Sequence, residues 1–183
     1  GEFHRGTGAV LRRGFYQTMV ASTRRVDMFL PNSQAEMKRV QEDFGLSDPP
    51  CQVIPNAVDK RLFDYDRVDL DRNFLDQYRD CVLCVARIDG RKNQLSLIRA
   101  LENAPYQLGI IGQPSPNHQA YYRKVRRAAG PRVVLAGQVP HERLPGFYKA
   151  ARVHVLPSWM DTPGLSSLEA GIMKCNLVVT RKG

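Results

Sequence analysis

Two carboxylates near the end of the chain are its strongest candidates for chemistry. Asp161 and Glu169 lie eight positions apart, and Gly164 between them opens a short apolar helix. Residues 151–158, Ala-Arg-Val-His-Val-Leu-Pro-Ser, predict a strand that ends in a loop just before them. The unpaired amides and partial positive charge of such a helix start suit an anion such as phosphate. Glu169 lies inside the helix and would repel phosphate, so it better suits sugar hydroxyls, as the acid of a dinucleotide fold does.

A second group consists of two cations beside another predicted strand. Arg87 ends that strand, and Lys92 begins the helix that follows a short turn. A guanidinium fork fits phosphate oxygens and an ammonium adds a mobile point charge, so the pair suits a diphosphate. From the spacing alone, two surface bases, one of them paired with Asp89, explain the pattern equally well.

The elements that must position these groups alternate regularly from residue 81 onward. Short continuous apolar runs are typical of parallel strands covered on both faces, and repeated strand–helix units predict a doubly wound, Rossmann-like α/β sheet. Ligands of such sheets bind beyond the carboxyl ends of the strands. The predicted strands are 81–87, 107–111, 133–135, 153–156 and 177–180, and the predicted helices are 93–103, 118–129, 142–150 and 165–173.

The first part of the chain predicts fewer elements. A basic amphipathic helix is expected over 7–25, a strand over 26–31 and a short strand at 53–54. Between the two strands, a helix should begin with a capping box from Ser33 to Glu36 and should end at Gly45.

The composition of the 183 residues is that of a globular protein, with a net charge of +9. This charge favours phosphorylated or polyanionic partners, although a solvated basic face would explain it as well. No RNA-binding aromatic signature, zinc finger or helix-turn-helix pattern is present, which disfavours specific nucleic-acid binding. No apolar run approaches the ~20 residues of a membrane helix. Reduced thiols are the simplest account of the four cysteines, and we expect a cytoplasmic protein, with an anionic membrane surface as a further candidate partner.

Two short patterns have the residue spacing of metal sites. Asp64 and Asp66 have the spacing of a DxD motif, but they lie in an acidic, linker-like stretch that we interpret as a solvated loop. Cys81 and Cys84 form a CxxC pattern within an apolar run, where residues three apart on a strand face opposite sides. We expect reduced, separated thiols and no metal.

The histidines and the single tryptophan give weaker signals. The four histidines are dispersed without ligand spacing, and His154 lies in a predicted strand, where packing explains it. Trp159 either forms a wall of a ligand pocket or packs beneath its loop.

The motif that contains the two carboxylates resembles the signature of GT-B fold, retaining nucleotide-sugar glycosyltransferases of family 4. Their pattern is Glu, seven residues, Glu, with Phe-Gly-Leu inside it. Here Asp161 is the first acid, Pro163 stands in place of Phe, and Gly164, Leu165 and Glu169 match.

Four further segments match the family in the same order along the chain. They are 53–59 (Val-Ile-Pro-Asn-Ala-Val-Asp), 85–93 (Val-Ala-Arg-Ile-Asp-Gly-Arg-Lys-Asn), 137–140 (Gly-Gln-Val-Pro) and 148–151 (Tyr-Lys-Ala-Ala). The resemblance extends from residue 27 to the C-terminus. One departure is the Lys-Cys-Asn at 174–176, where the family has Gly-x-Pro.

The resemblance implies roles for individual residues. Val139 would lie against the nucleotide base, Glu169 would bind the ribose hydroxyls, and Asp161, one methylene shorter than the usual Glu, would touch the transferred sugar. Asp161 and Glu169 are thus the implied catalytic residues. The implied substrate-binding residues are Arg87, Lys92, Gly112, Val139, Gly164, Leu165, Ser166 and Glu169.

The resemblance also implies an activity and a domain organisation. Residues 1–46 would hold a remnant of the acceptor domain together with a Gly-Glu-Phe at 1–3 that is typical of a vector-encoded leader, and 47–183 would be the donor domain, truncated at its C-terminus. The parent enzyme would transfer sugar from a nucleoside-diphosphate sugar to a glycan or lipid-linked acceptor in polysaccharide biosynthesis, without metal or cofactor. The isolated piece would be inactive. The alternative is a non-catalytic nucleotide-binding module or partner subunit.

Overall fold

A computed structural model describes residues 9–70, 72–161 and 164–181, and the chain divides into two compact units after Asn56. Whether an acceptor-domain remnant ends at residue 46 stays a prediction, and the proposed leader at 1–3 lies outside the described residues. Within these ranges no helix is long and apolar enough to cross a membrane.

The first unit holds helices α1 (Ala9–Thr23) and α2 (Gln34–Phe44). The capping prediction for α2 is confirmed: the Ser33 side chain accepts a hydrogen bond from the Glu36 amide, and Gly45 ends the helix with φ 61°.

The strands predicted at 26–31 and 53–54 are wrong. A single bridge joins Phe29 to Cys51, and Ile54 N donates to Pro31 O over 2.8 Å, but no ladder forms. Proline carries no N–H to extend the pairing, and prolines occur at 31, 49, 50 and 55.

The second unit is built on a five-stranded sheet in which every pair is parallel, as predicted, with the order β3-β2-β1-β4-β5. The strands are β1 (Val82–Val85), β2 (Leu108–Ile111), β3 (Val133–Gly137), β4 (Val153–Leu156) and β5 (Asn176–Val179). The helices are α3 (Arg72–Tyr78), α4 (Gln94–Ala100), α5 (Gln119–Ala128), α6 (Leu144–Ala150) and α7 (Leu165–Ile172). The chain order reverses between β1 and β4, and this switch point opens a crevice at the carboxyl edge, where the strands end.

Each face of the sheet packs its own apolar layer, as a doubly wound sheet requires. Leu83 and Val85 of β1 face one layer, with residues of α6 and α7, while Val82 and Cys84 face the other, with residues of α4 and α5. Cys81 belongs to the first layer, so the two thiols of the CxxC pattern diverge as predicted. Both thiols are free and buried, and burial raises each pKa to about 12.

The acidic stretch before α3 keeps Asp66 and Asp69 exposed, as expected of a solvated loop, while the residues around them are anchored. Phe63 is buried, and Asp64 caps a short 3-10 turn by accepting the Asp66 amide over 3.1 Å. Lys149 Nζ donates to the carbonyls of Tyr65 and Val68 over 2.8 and 2.7 Å. Sequence reasoning also missed α3, whose short helix packs Tyr78 against the aromatic ring of Phe147. Across the described ranges, no group of three or more His, Cys, Asp or Glu could hold a metal ion.

Backbone hydrogen bonds fasten the loops after β1, β2 and β3 to one another. Ala86 N donates to Ile111 O over 3.0 Å, and Gly112 N donates to Gly137 O over 2.7 Å. Gly112 has φ 141°, and a Cβ added there would stand 2.0 Å from the Ala86 carbonyl oxygen. Only glycine, which has no Cβ, lets the backbone at this position come so close to the Ala86 carbonyl, so Gly112 sets the geometry of the carboxyl edge.

Candidate functional site

The predicted chemistry gathers where the loops after β1 and β4 meet at the switch point. Trp159 N donates to Arg91 O over 2.8 Å and so joins the two loops. Trp159 is 65% exposed, which excludes packing beneath the loop. The residues that close this crevice therefore come from two sequence segments about seventy positions apart.

An ion pair between Lys92 and Asp161 is the tightest charged contact at this point. Lys92 Nζ lies 2.7 Å from Oδ2 and 2.9 Å from Oδ1 of Asp161. Their side chains are 12% and 24% exposed. The buried Ser158 hydroxyl donates to the same Oδ2 over 2.8 Å, and Ser158 O accepts from Thr180 Oγ1 over 2.6 Å. In this arrangement, the carboxylate offsets the ammonium that was predicted to hold phosphate.

Arg87 is exposed and makes no ion pair within the described part of the chain. The predicted alternative, a pair with Asp89, is not present, because buried Asp89 instead caps the turn and accepts the Lys92 amide over 3.0 Å. Gln94, also buried, donates from Nε2 to Arg87 O over 2.9 Å. The backbone of Arg87 is thus fixed while its guanidinium remains available to a ligand.

The N-terminus of α7 lies beside the ion pair. Gly164 is its N-cap without a side-chain cap, and the first-turn amides of Leu165 and Ser166 have no partner within the helix. A Cβ added at Gly164 would stand 2.5 Å from Leu156 Cδ2 and 3.5 Å from Asp161 Oδ2. Pro163, the departure from the family pattern, lies outside the described residues. This helix start offers an anion the uncapped amides that the sequence predicted.

Glu169 lies within α7 and is buried, with both carboxylate oxygens in hydrogen bonds. His141 Nε2 is 2.9 Å from Oε1, and the Tyr148 hydroxyl donates to Oε2 over 2.9 Å. Burial raises the pKa of Tyr148, and the adjacent carboxylate charge raises it further. The Phe63 ring packs against the His141 ring in a T-shaped arrangement, with ring centroids 5.2 Å apart.

Sequence reasoning missed His141 and Tyr148 as partners of Glu169. The sequence could have pointed to both residues by their positions beside segments that match the family: His141 directly follows the match at 137–140, and Tyr148 opens the match at 148–151. It also missed Ser158 and Gln94, for which the sequence held no comparable signal.

The remaining predicted residues occupy the same edge farther along the sheet. Gly112 follows β2, and half-buried Val139 follows β3 and packs against the first apolar layer. The order β3-β2-β1-β4 places Val139 at one end of this row and Asp161 at the other, with Gly112 and Arg87 between. Along this edge of the sheet, the spatial order is therefore an apolar residue, a backbone turn, two cations and a helix start.

Comparison with known proteins gives a consistent result. A family model described as "Glycosyl transferases group 1" matches residues 68–183. The chain is 28% identical over 176 residues to a D-inositol 3-phosphate glycosyltransferase of Nocardiopsis dassonvillei and 27% identical over 173 residues to one of Acidothermus cellulolyticus. These alignments cover 87% and 86% of this chain but 41% and 39% of those proteins.

Solved structures share the fold. Sucrose-phosphate synthase from Thermosynechococcus elongatus superposes with a TM-score of 0.80 at 24% identity, covering 100% of this chain and 48% of that one. HepE of Anabaena, solved in complex with UDP and glucose, gives 0.78 at 19% identity, covering 92% and 48%. The chain therefore spans less than half the length of these relatives.

Proposed function

The chain belongs to the glycosyl transferases group 1, and we propose that it carries the donor-binding site of an enzyme that transfers sugar from a nucleoside-diphosphate sugar to a glycan or lipid-linked glycan. The observation that carries this proposal is the convergence at the switch point of exposed Arg87, Lys92 and the uncapped start of α7. Two cations and a helix N-terminus suit the two phosphates of such a donor.

The diphosphate would bind between Arg87 and the amides at Gly164. Lys92 would have to share its ammonium between phosphate and Asp161, since Asp161 now holds it at 2.7 Å. The donor base would lie against Val139, and the ribose hydroxyls would donate to lone pairs that Glu169 keeps beyond its two existing hydrogen bonds. Asp161 would meet the sugar only after its carboxylate turns from Lys92.

The proposed transfer retains the anomeric configuration. The acceptor oxygen attacks the anomeric carbon from the face that the diphosphate leaves, the carbon–phosphate-oxygen bond breaks, and the acceptor proton passes to that phosphate oxygen. Arg87, Lys92 and the α7 N-terminus stabilise the charge that the leaving group gains. An inverting enzyme would need a base on the opposite face, whereas Asp161 and Glu169 both lie on the nucleotide side of this scheme.

Retention is a prediction about the parent enzyme. Its fresh product should show, by proton NMR, the anomeric coupling of the donor. An inverted linkage would contradict the mechanism.

Since catalysis requires both reactants at attack distance, we also propose that residues 1–183 alone bind donor without transferring its sugar.

The donor-binding proposal predicts metal-free affinity. Calorimetry on this chain with UDP, GDP and ADP in EDTA should detect binding of at least one nucleotide, because arginine, lysine and backbone amides supply the counter-charge. Binding that arises only after magnesium or manganese is added would refute this form of the site.

One observation favours a second function, a nucleotide-binding module without transfer. The Asp161 carboxylate is bonded by Lys92 and Ser158, so it is not free to meet a transferred sugar. Assays of donor hydrolysis and transfer by the parent protein separate the two functions, because the module would bind donor without consuming it.

A further inference from the structure

His154 is a buried polar side chain that the proposed chemistry leaves unused. It lies in β4 with 0% exposure, and its ring packs edge-on against Tyr148 with centroids 5.7 Å apart. Nε2 lies 3.3 Å from the Ser167 hydroxyl oxygen, while buried Nδ1 has no partner in the described part of the chain. Burial lowers the His154 pKa to about 4, so the imidazole is neutral near pH 7.

The unpartnered nitrogen decides which atom carries the proton. A neutral imidazole has one N–H and one lone-pair nitrogen. A proton on Nδ1 would leave a buried donor unsatisfied, whereas a proton on Nε2 donates to Ser167 and leaves only an acceptor without a partner. Orphaned buried donors are rarer in folded proteins than unfilled acceptors. His154 therefore donates from Nε2 to the Ser167 oxygen.

This donation fixes the role of the Ser167 hydroxyl. With its oxygen occupied as an acceptor, its hydrogen must donate elsewhere, and no acceptor for it is found among residues 9–70, 72–161 and 164–181. Ser167 lies in the first turn of α7, and its Oγ is 3.6 Å from the point where a Gly164 Cβ would stand. Asp161 Oδ2 lies 3.5 Å and the buried Leu156 Cδ2 lies 2.5 Å from the same point, so the hydroxyl lies beside the N-cap of α7, where the phosphate is proposed to bind.

We propose that Ser167 is a donor-binding residue whose hydroxyl, held as a hydrogen-bond donor by His154, bonds an oxygen of the distal phosphate of the nucleoside diphosphate. His154 acts through Ser167 and is a positioning residue. The inference rests on the proposed function and adds to it a phosphate contact from a side chain.

The first test needs no ligand. Nitrogen-15 NMR of the histidine rings in this chain should show His154 as the Nε2–H tautomer. The Nδ1–H tautomer would overturn the proposal whatever the protein binds, because Ser167 would then donate to His154 and not to phosphate.

The second test compares diphosphates with monophosphates. Calorimetry is done with UDP, GDP and ADP and with the corresponding monophosphates. Ser167→Ala should weaken diphosphate binding roughly tenfold, while the affinity for monophosphate stays equal to that of the unsubstituted chain. Ser167→Thr, which keeps the hydroxyl, should retain most of the affinity. Ser96→Ala is the matched control: Ser96 occupies the same first-turn position of α4, but its hydroxyl already donates to Asn93 Oδ1 over 2.8 Å.

A double-mutant cycle separates positioning from mere packing. His154→Leu fills the buried space without a donor and should weaken diphosphate binding severalfold, and the double variant should lose no more than Ser167→Ala alone. Additive losses, equal losses for both ligand classes, or a Ser167→Ala variant that binds like the parent would overturn the proposal. If the unsubstituted chain binds none of the nucleotides, the proposed function is contradicted. The phosphate contact is then contradicted too, even if His154 is the expected tautomer.

Discussion

Arg87→Ala is expected to weaken the binding of nucleoside diphosphate to this chain by roughly 10- to 150-fold, the loss of one charge-assisted contact worth about 1.5–3 kcal/mol. The guanidinium is exposed and has no ion-pair partner in the described residues, while its backbone is fixed by Gln94. A ligand phosphate would therefore be its main partner. Calorimetry should show that the free nucleoside loses far less affinity than the diphosphate.

Asp161→Asn is expected to have the opposite effect on diphosphate affinity. It removes the carboxylate that now offsets Lys92, so diphosphate should bind about fivefold more tightly, a gain of ~1 kcal/mol for a partly exposed pair. Sugar transfer by the parent enzyme should fall, because the same carboxylate is proposed to meet the sugar. Equal losses of diphosphate affinity in Arg87→Ala and Asp161→Asn would contradict the charge arrangement on which the proposed function depends.

Gly112→Ala is expected to lower the free energy of unfolding by about 3 kcal/mol or more. The new Cβ would stand 2.0 Å from a backbone oxygen, and φ 141° is strained for any L side chain. Neither backbone segment can move alone, since the Ala86 amide is bonded to Ile111 O and the Gly112 amide to Gly137 O. Urea unfolding followed by circular dichroism measures the shift.

Two other glycines provide controls for this substitution. Gly130→Ala should change stability by less than ~0.5 kcal/mol, since nothing lies within 4 Å of the added atom and its φ is not in the left-handed region. Gly137→Ala should fall between, at about 1–2 kcal/mol, because φ 70° is strained but the space is open. A Gly112 variant as stable as the Gly130 variant would show that the carboxyl edge is not fixed as described.

The fold class could be predicted because it depends on local patterns. Buried parallel strands require continuous apolar runs, and the alternation of those runs with helices leaves few topologies open. Prediction failed where pairing was weak or the helix was short: Phe29 forms a single bridge to Cys51, Ile54 adds one hydrogen bond to Pro31 O, and α3 depends on the Tyr78–Phe147 contact.

The sequence by itself therefore determined which residue types reach the carboxyl edge, since Arg87, Lys92, Asp161 and Gly164 each follow a strand whose direction is set by its pattern. The tertiary structure alone decided their partners. Lys92 and Asp161 are 69 positions apart, and their contact depends on how closely two loops approach across the switch point. A side-chain hydrogen bond is set by tenths of an ångström, and only the packed sheet fixes such distances between residues so far apart in the chain.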